Sequence, residues 1–137
     1  MGLLCGTHSG GFHADDVLAF ALVQEFVDQD AVVVRSRDLE VLARCDIVFD
    51  VGAVFDPARR RFDHHQNDYR GELSSAGMVL EWLLATGAVE PPLAGVLRAE
   101  LVDHVGAVDT GRRTPERGVA CLSWLIDWND TEVPFRN

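Results

Sequence analysis

Residues 46–52 read Asp46-Ile47-Val48-Phe49-Asp50-Val51-Gly52. The run shows no polar alternation from Ile47 to Phe49. That is how a strand reads when helices cover both of its faces, as in a mainly parallel sheet. The strand this predicts runs from Ile47 to Val51, and Gly52 ends it. One member does not fit a core strand: Asp50, a carboxylate closing an apolar run. Alone, such an aspartate is most often a turn or cap residue. Burying it unpaired is costly, so a buried Asp50 calls for a partner.

Outward from this strand the chain alternates between two periodicities. Residues 3–7 form a short apolar strand that ends at a glycine-rich turn. Residues 15–27 predict a helix: Val17, Phe20, Ala21 and Gln24 stand at helical spacing, and Leu18, Leu22 and Phe26 widen the apolar face. Residues 31–34 are a second strand, and Asp38 caps a short helix through Cys45. Downstream, residues 54–63 predict a hairpin-like excursion turning at Asp56-Pro57. Ser74-Ser75 starts a helix through Leu84, ended by Gly87. After a break at Pro91-Pro92, residues 93–105 form a long helix. Trp124 and Trp128 predict a packed final helix. The alternation predicts an α/β fold with a mainly parallel β-sheet flanked by helices, in a single domain over residues 1–137.

At 47% hydrophobic residues, the 137-residue chain can bury a core. Its net charge of -10 argues against loose, non-specific binding to nucleic acid, which depends on Lys and Arg neutralising phosphates. It does not exclude a nucleic-acid substrate at a site where bound cations invert the local field. Cys5, Cys45 and Cys121 are odd in number and form no CxxC pair, which predicts reduced thiols and a cytoplasmic setting. No apolar run is long enough to span a membrane, and residues 1–6 lack the features of a signal peptide.

Four of the five histidines stand in two clusters laced with aspartate. The first is Thr7-His8-Ser9-Gly10-Gly11-Phe12-His13-Ala14-Asp15-Asp16; the second is Phe62-Asp63-His64-His65-Gln66. Imidazole and carboxylate together are ligands for divalent metals. In open α/β sheets, sites gather beyond the carboxyl ends of the strands, where both clusters and Asp50 are expected. A two-ion site needs a bridging carboxylate, and Asp50 is the natural one. His8 and His13 could serve one ion; Asp15, His64 and Asp109 could serve the other. His65 would be placed to contact or protonate a phosphate. Arg59, Arg60, Arg61 and Arg70 are candidates for substrate phosphates, though an arginine run is more often a solvated face. Asp16 reads first as a helix N-terminal charge, and Asp103-His104 as a surface pair. Ser9-Gly10-Gly11 lacks the lysine and spacing of a P-loop.

The chain resembles the DHH phosphoesterase superfamily, which includes RecJ-type exonucleases and manganese-dependent inorganic pyrophosphatases. It is most similar to the branch typified by the melanocyte proliferating gene product. That branch shows THNGxFHxDE, DIVxDVGxxYDPxxxRxDHHQ, SSAG and a DxxDNG-like segment. The counterparts here are residues 7–16, 46–66, 74–77 and 106–111, with Trp128-Asn129-Asp130 matching a later stretch. The resemblance implies two divalent metal ions, Mn²⁺ first and Mg²⁺ or Zn²⁺ as alternatives, on His8, His13, Asp15, Asp50, His64 and Asp109. It implies that His65 lies near the phosphate and that Asp63 orients a neighbouring histidine. Ser9, Asp16 and Gly106 replace the branch's Asn, Glu and first Asp, and the wider superfamily more often has aspartate where His13 stands.

The function this implies is metal-dependent phosphohydrolysis, with a nuclease attacking phosphodiester bonds at RNA or DNA ends through a two-metal-activated hydroxide. Two rivals stand beside it. One is a non-catalytic metal-binding or regulatory module; the other is a small-molecule pyrophosphate or nucleotide phosphohydrolase. Family members usually continue into a C-terminal substrate domain, expected to be absent here because the chain stops at Val133-Pro134-Phe135-Arg136-Asn137. The expected partner is a phosphate-containing substrate and not a membrane; a homo-oligomer is compatible.

Overall fold

Four strands run parallel and a fifth closes one edge in the opposite sense. The computed structural model describes residues 2–114. Cys121, the helix expected around Trp124 and Trp128, and the stretch Trp128-Asn129-Asp130 lie outside these residues. The strands are β1 (Leu4–Thr7), β2 (Val32–Arg35), β3 (Ile47–Phe49), β4 (Phe55–Asp56) and β5 (Arg61–Phe62). Their order across the sheet is β2-β1-β3-β5-β4, with only the β4–β5 pair antiparallel. The expected α/β architecture is therefore present.

Strand alternation divides the core into two layers. Cys5, Ile47, Phe49 and Phe62 join one cluster with Leu18, Ala19, Leu22 and Val23 of helix α1 (Ala14–Phe26) and Val79, Leu80 and Leu83 of helix α3 (Ser75–Ala85). Leu4, Val34 and Val48 join the other, with Leu42 of the short helix α2 (Leu39–Ala43) and Cys45. Gly6 lets α2 lie close to β1: a Cβ there would meet Leu42 Cδ2 and Cys45 Sγ, each at 2.9 Å. Phe49 and Phe62 are fully enclosed, and such side chains each contribute roughly 1.5–3 kcal/mol by leaving water.

Three boundaries differ from the sequence reading. β3 ends at Phe49 and not at Val51, because Asp50 adopts φ 60°, Gly52 φ 93° and Ala53 φ 57°, conformations that leave the ladder. The expected excursion exists, with a 3-10 turn at Pro57–Arg59 between β4 and β5. Pro91-Pro92 is not a break before a helix. It forms the first turn of α4 (Pro91–Leu97), where a missing N–H costs nothing. The helix continues through a π turn (Arg98–Val102) into α5 (Asp103–Asp109), four residues beyond the expected end.

β1 and β3 are neighbours, yet the chain leaves them in opposite directions: β1 leads through α1 to β2, and β3 leads to β4 and β5. Such a divergence opens a crevice beyond the carboxyl ends of the two strands. His8 follows β1, and Asp50 follows β3.

Candidate metal centre

Asp50 occupies that crevice in a left-handed conformation that Asp tolerates better than most residues. Its N–H lies 3.1 Å from both the Phe62 carbonyl and Ser75 Oγ, which fixes the turn. The side chain is almost wholly buried, and among the described residues neither carboxylate oxygen has a hydrogen-bond donor. A buried polar group left so costs about 1–3 kcal/mol, and a charged one more. What surrounds it instead is imidazole. His8 Nε2 stands 3.3 Å from Oδ2, and His65 Nδ1 3.6 Å and His64 Nδ1 4.0 Å from Oδ1. His8 Nδ1 lies 3.2 Å from the Ser9 carbonyl. A proton donated there leaves Nε2 a free lone pair facing the carboxylates, the tautomer a metal requires. Asp50 raises the pKa of His8, against the opposing effect of burial.

The two acids that open α1 point to different places. Asp16 Oδ1 accepts the His13 N–H at 2.8 Å, and its Oδ2 lies 3.6 Å from His8 Nε2 and 3.8 Å from Arg35 Nη2. Asp15 crosses to the next helix, where its two oxygens accept the Ser75 N–H at 3.0 Å and the Ala76 N–H at 2.8 Å. It thus caps α3 while facing His64 at 3.9 Å. Complete burial, then the charges of Asp50 and Asp109, push its carboxyl up to about 7.

His64 and His65 diverge in the same way. His64 Nε2 stands 2.7 Å from Asp109 Oδ2, and Ser75 Oγ lies 3.3 Å from its Nδ1. Burial works against its charged form, but Asp109 and Asp15 outweigh it and the pKa rises. His65 Nδ1 bonds Asp63 Oδ1 at 2.6 Å, which lifts the imidazole to about 9. Asp63 is buried, yet that bond and the N–H groups of Ala53 and His64 hold its carboxyl below the usual range. His65 is 57% exposed, whereas His64 is 8% exposed.

Among the described residues three overlapping groups result: His8, His13, Asp16 and Asp50; Asp15, Asp50, His64 and Asp109; and Asp50, Asp63, His64 and His65. Within each group the ligand atoms lie within 4.8 Å of one another. Atoms sharing one cation at roughly 2.0–2.3 Å stand up to about 4–5 Å apart across it, so the spacing suits a metal ion. Asp50 alone belongs to all three groups. Every histidine and aspartate assigned to the site from the sequence is here: His8, His13, Asp15, Asp50, Asp63, His64, His65 and Asp109. Asp16 joins them although it read first as a dipole charge, and Ser75, read as a helix start, was given no site role. Beyond helix-start chemistry, their signal in the sequence is the motif resemblance over residues 7–16 and 74–77. A cavity of about 280 Å³ opens onto the group between His13, Asp15, His65, Val105, Val108 and Asp109.

Three of the four candidate arginines have other partners, and Arg59 lines a separate cavity with Leu39, Leu42 and Val51. Arg61 is spent on the carbonyls of Cys45, Asp46, Arg59 and Arg60. Arg60 lies over the Trp82 ring, and Arg70 bonds the carbonyls of Asn67 and Tyr69. Among the described residues, Arg35 reaches the site, its Nη2 3.8 Å from Asp16 Oδ2.

A family model described as MYG1_exonuc, uncharacterised protein family UPF0160, matches residues 4–82, more than half of the chain. The MYG1 protein of Chlamydia muridarum (strain MoPn / Nigg) is 45% identical over 123 residues, covering 88% of this chain and 42% of that protein. The MYG1 exonuclease of Homo sapiens is 40% identical over 132 residues, covering 77% of this chain and 35% of that protein. The MYG1 exonuclease of Bos taurus is 39% identical over 139 residues, covering 82% and 36%. The chain thus spans about two fifths of the length of the curated relatives it matches. No solved structure matches it significantly. Among the described residues, no helix is long and apolar enough to cross a membrane.

Proposed function

The chain belongs to the uncharacterised protein family UPF0160, and on that footing we propose a metal-dependent phosphohydrolase of the DHH type, a nuclease that cleaves phosphodiester bonds at RNA or DNA ends. The observation that carries this reading is the buried Asp50 carboxylate, which has no donor of its own and is common to three His–Asp groups. Curated relatives named MYG1 exonuclease supply the substrate class.

His8, His13, Asp16 and Asp50 would hold one divalent ion; Asp15, Asp50, His64 and Asp109 would hold a second. Asp15 keeps capacity for this role, because an ionised carboxylate offers about four lone-pair sites and α3 takes two. The donors are imidazole nitrogen and carboxylate oxygen without thiolate, a set that suits Mn²⁺ and also accepts Mg²⁺ or Zn²⁺. A pair of such ions supplies an activated water and neutralises charge on the phosphoryl oxygens. The protein's own groups do the rest. Asp50 fixes the spacing of the two half-sites. Asp63 holds the Nδ1 proton of His65, so that Nε2 can exchange a proton with a substrate oxygen in the cleft. In a chain of net charge -10, the cations and Arg35 carry the attraction for phosphate. Two free, buried cysteines, Cys5 and Cys45, favour a reducing compartment such as the cytoplasm.

The test is metal stoichiometry followed by turnover. Calorimetric titration of the chelator-stripped protein with Mn²⁺ should give two ions per chain. The loaded protein should then shorten oligonucleotides in preference to nucleotides or pyrophosphate. Preference for pyrophosphate would move the protein to the small-molecule reading. Two bound ions with no hydrolysis of any of the three would favour a regulatory module.

A further inference from the structure

Ser75 touches three of the residues in the group Asp15, Asp50, His64 and Asp109. It opens α3 and is 0% exposed. Its N–H donates to Asp15 Oδ2 at 3.0 Å. Its Oγ accepts the Asp50 N–H at 3.1 Å and stands 3.3 Å from His64 Nδ1. The opposite nitrogen of that ring, Nε2, is 2.7 Å from Asp109 Oδ2, and Asp109 lines the cavity that opens onto the centre. Neither the helix start nor the Asp50 turn requires this hydroxyl. The N-cap position belongs to Ser74, and the amides of Ser75 and Ala76 are taken by Asp15. The Asp50 N–H has a second acceptor in the Phe62 carbonyl, also at 3.1 Å. What remains for Oγ is the imidazole.

We propose that Ser75 is a positioning residue of the metal centre: its hydroxyl accepts the Nδ1 proton of His64 and so commits Nε2 to the ion that His64 would share with Asp109. The inference rests on the two-ion reading and adds to it the choice of ligating nitrogen. A neutral imidazole carries one proton, so a ring that gives one nitrogen to a metal holds its proton on the other, and that proton needs an acceptor. A hydroxyl oxygen has two lone pairs; the Asp50 amide uses one and leaves the second for Nδ1–H. The carboxylates on the same side, Asp15 at 3.9 Å and Asp50 at 4.0 Å from Nδ1, are beyond hydrogen-bond reach. On the other side, a nitrogen and a carboxylate oxygen 2.7 Å apart are close enough to share one cation. With the proton on Nε2 instead, His64 would donate to Asp109 and offer no lone pair beside it. His8 repeats the arrangement, with the Ser9 carbonyl facing its Nδ1.

Protein labelled with ¹⁵N-histidine and loaded with Zn²⁺, which is diamagnetic, shows by long-range proton–nitrogen correlation which nitrogen of each ring is coordinated. His64 of the wild type should be protonated at Nδ1 and coordinated at Nε2. Calorimetric titration of Ser75→Ala with Mn²⁺ should show one of two sites weakened about 10–100-fold, the scale of an outer hydrogen bond to a ligating histidine, and the other unchanged. Hydrogen exchange of the Ala76 amide should match wild type, because Asp15 still holds it. Coordination of wild-type His64 through Nδ1, or two sites of wild-type affinity in Ser75→Ala, would overturn the inference alone. So would a quickened Ala76 amide in the variant, since the lost affinity would then trace to the start of α3. Fewer than two Mn²⁺ bound by wild type would overturn the two-ion reading, and the inference with it.

Discussion

Replacing Asp50 with asparagine should stabilise the protein without metal and destabilise it with metal. The outline of the side chain is unchanged, and asparagine tolerates the left-handed backbone that Asp50 adopts at φ 60°. What disappears is a buried negative charge with no hydrogen-bond donor on either oxygen. Such a group costs about 1–3 kcal/mol in the folded state. His8 at 3.3 Å and His65 at 3.6 Å offset part of this when protonated, so the expected gain is roughly 1–3 kcal/mol and not more. For a domain of this size that raises Tm by about 3–10 °C. Metal reverses the order. At a free concentration of 100 Kd each bound ion adds about 2.7 kcal/mol to the native state, and a residue serving both ions forfeits both increments. Thermal unfolding followed by circular dichroism at pH 8, first in EDTA and then in excess Mn²⁺, reads both effects. The two melting curves should exchange order between the conditions. A variant that melts below wild type in EDTA would show that the carboxylate is already satisfied. A variant with an undiminished Mn²⁺ shift would show that Asp50 does not join the two half-sites.

Other changes separate the roles around it. His65→Ala should keep two Mn²⁺ per chain by elemental analysis while lowering hydrolysis about 10²–10⁴-fold, since the exposed imidazole is held by Asp63 and not by the cluster's interior; loss of an ion would make it a ligand. Asp16→Ala should weaken one calorimetric Mn²⁺ site and spare the other, and two unchanged sites would return Asp16 to the part of a helix-start charge. Asp15→Ala should cost about 1–3 kcal/mol even without metal, because it strips acceptors from the Ser75 and Ala76 amides, whose hydrogen exchange should quicken. Stability of the metal-free protein should fall as pH rises. Asp15 moves from 3.8 to about 7 and His65 from 6.5 to about 9, so the folded state holds both protons more tightly than the unfolded chain. Their contribution is complete at low pH and is lost between about pH 4 and 7 for Asp15 and between about pH 6.5 and 9 for His65. The lowered Asp63 acts oppositely, but only below the usual carboxylate range. Mn²⁺ should invert the trend, because ligands bind metal deprotonated. A Tm in EDTA that rises from pH 5 to pH 9 would contradict the assignment.

The sequence is most legible where one physical requirement governs several neighbouring residues. The unbroken run Ile47-Val48-Phe49 announces a strand buried on both sides, and the structure encloses all three residues. The spacing of Leu18, Leu22 and Phe26 gives α1, and Ser74-Ser75 gives the start of α3. The two His–Asp clusters and Asp50 meet because strand ends in such sheets share one edge. Less legible are choices that a distant element makes. Asp15 and Asp16 are adjacent and chemically alike; only the position of α3 decides that one caps it while the other turns to His8. The arginine run offers cations at the right distance in sequence, but β5 and its turn carry Arg61 onto backbone carbonyls. Pro91-Pro92 punctuates a helix, and sequence alone does not say whether it precedes the first turn or forms it.

The π turn at Arg98–Val102 sets the clocking of α5. A π turn is an α-helix carrying one residue more than its winding needs. Everything after it is advanced by one position, about 100° of rotation and 1.5 Å of rise. Asp109 meets His64 at 2.7 Å, and Val105 meets the core, only in that phase. Deleting a single residue within the turn would regularise the helix and leave both side chains in place, whereas winding the same residues as a regular α-helix would swing them through more than a quarter of a circle. Chain length between Pro91 and Asp109 is therefore a coordinate of the centre in its own right. Residues that touch nothing there fix where its last carboxylate arrives, so an insertion or deletion in this helix outside the π turn should be felt as strongly as a substitution at Asp109 itself.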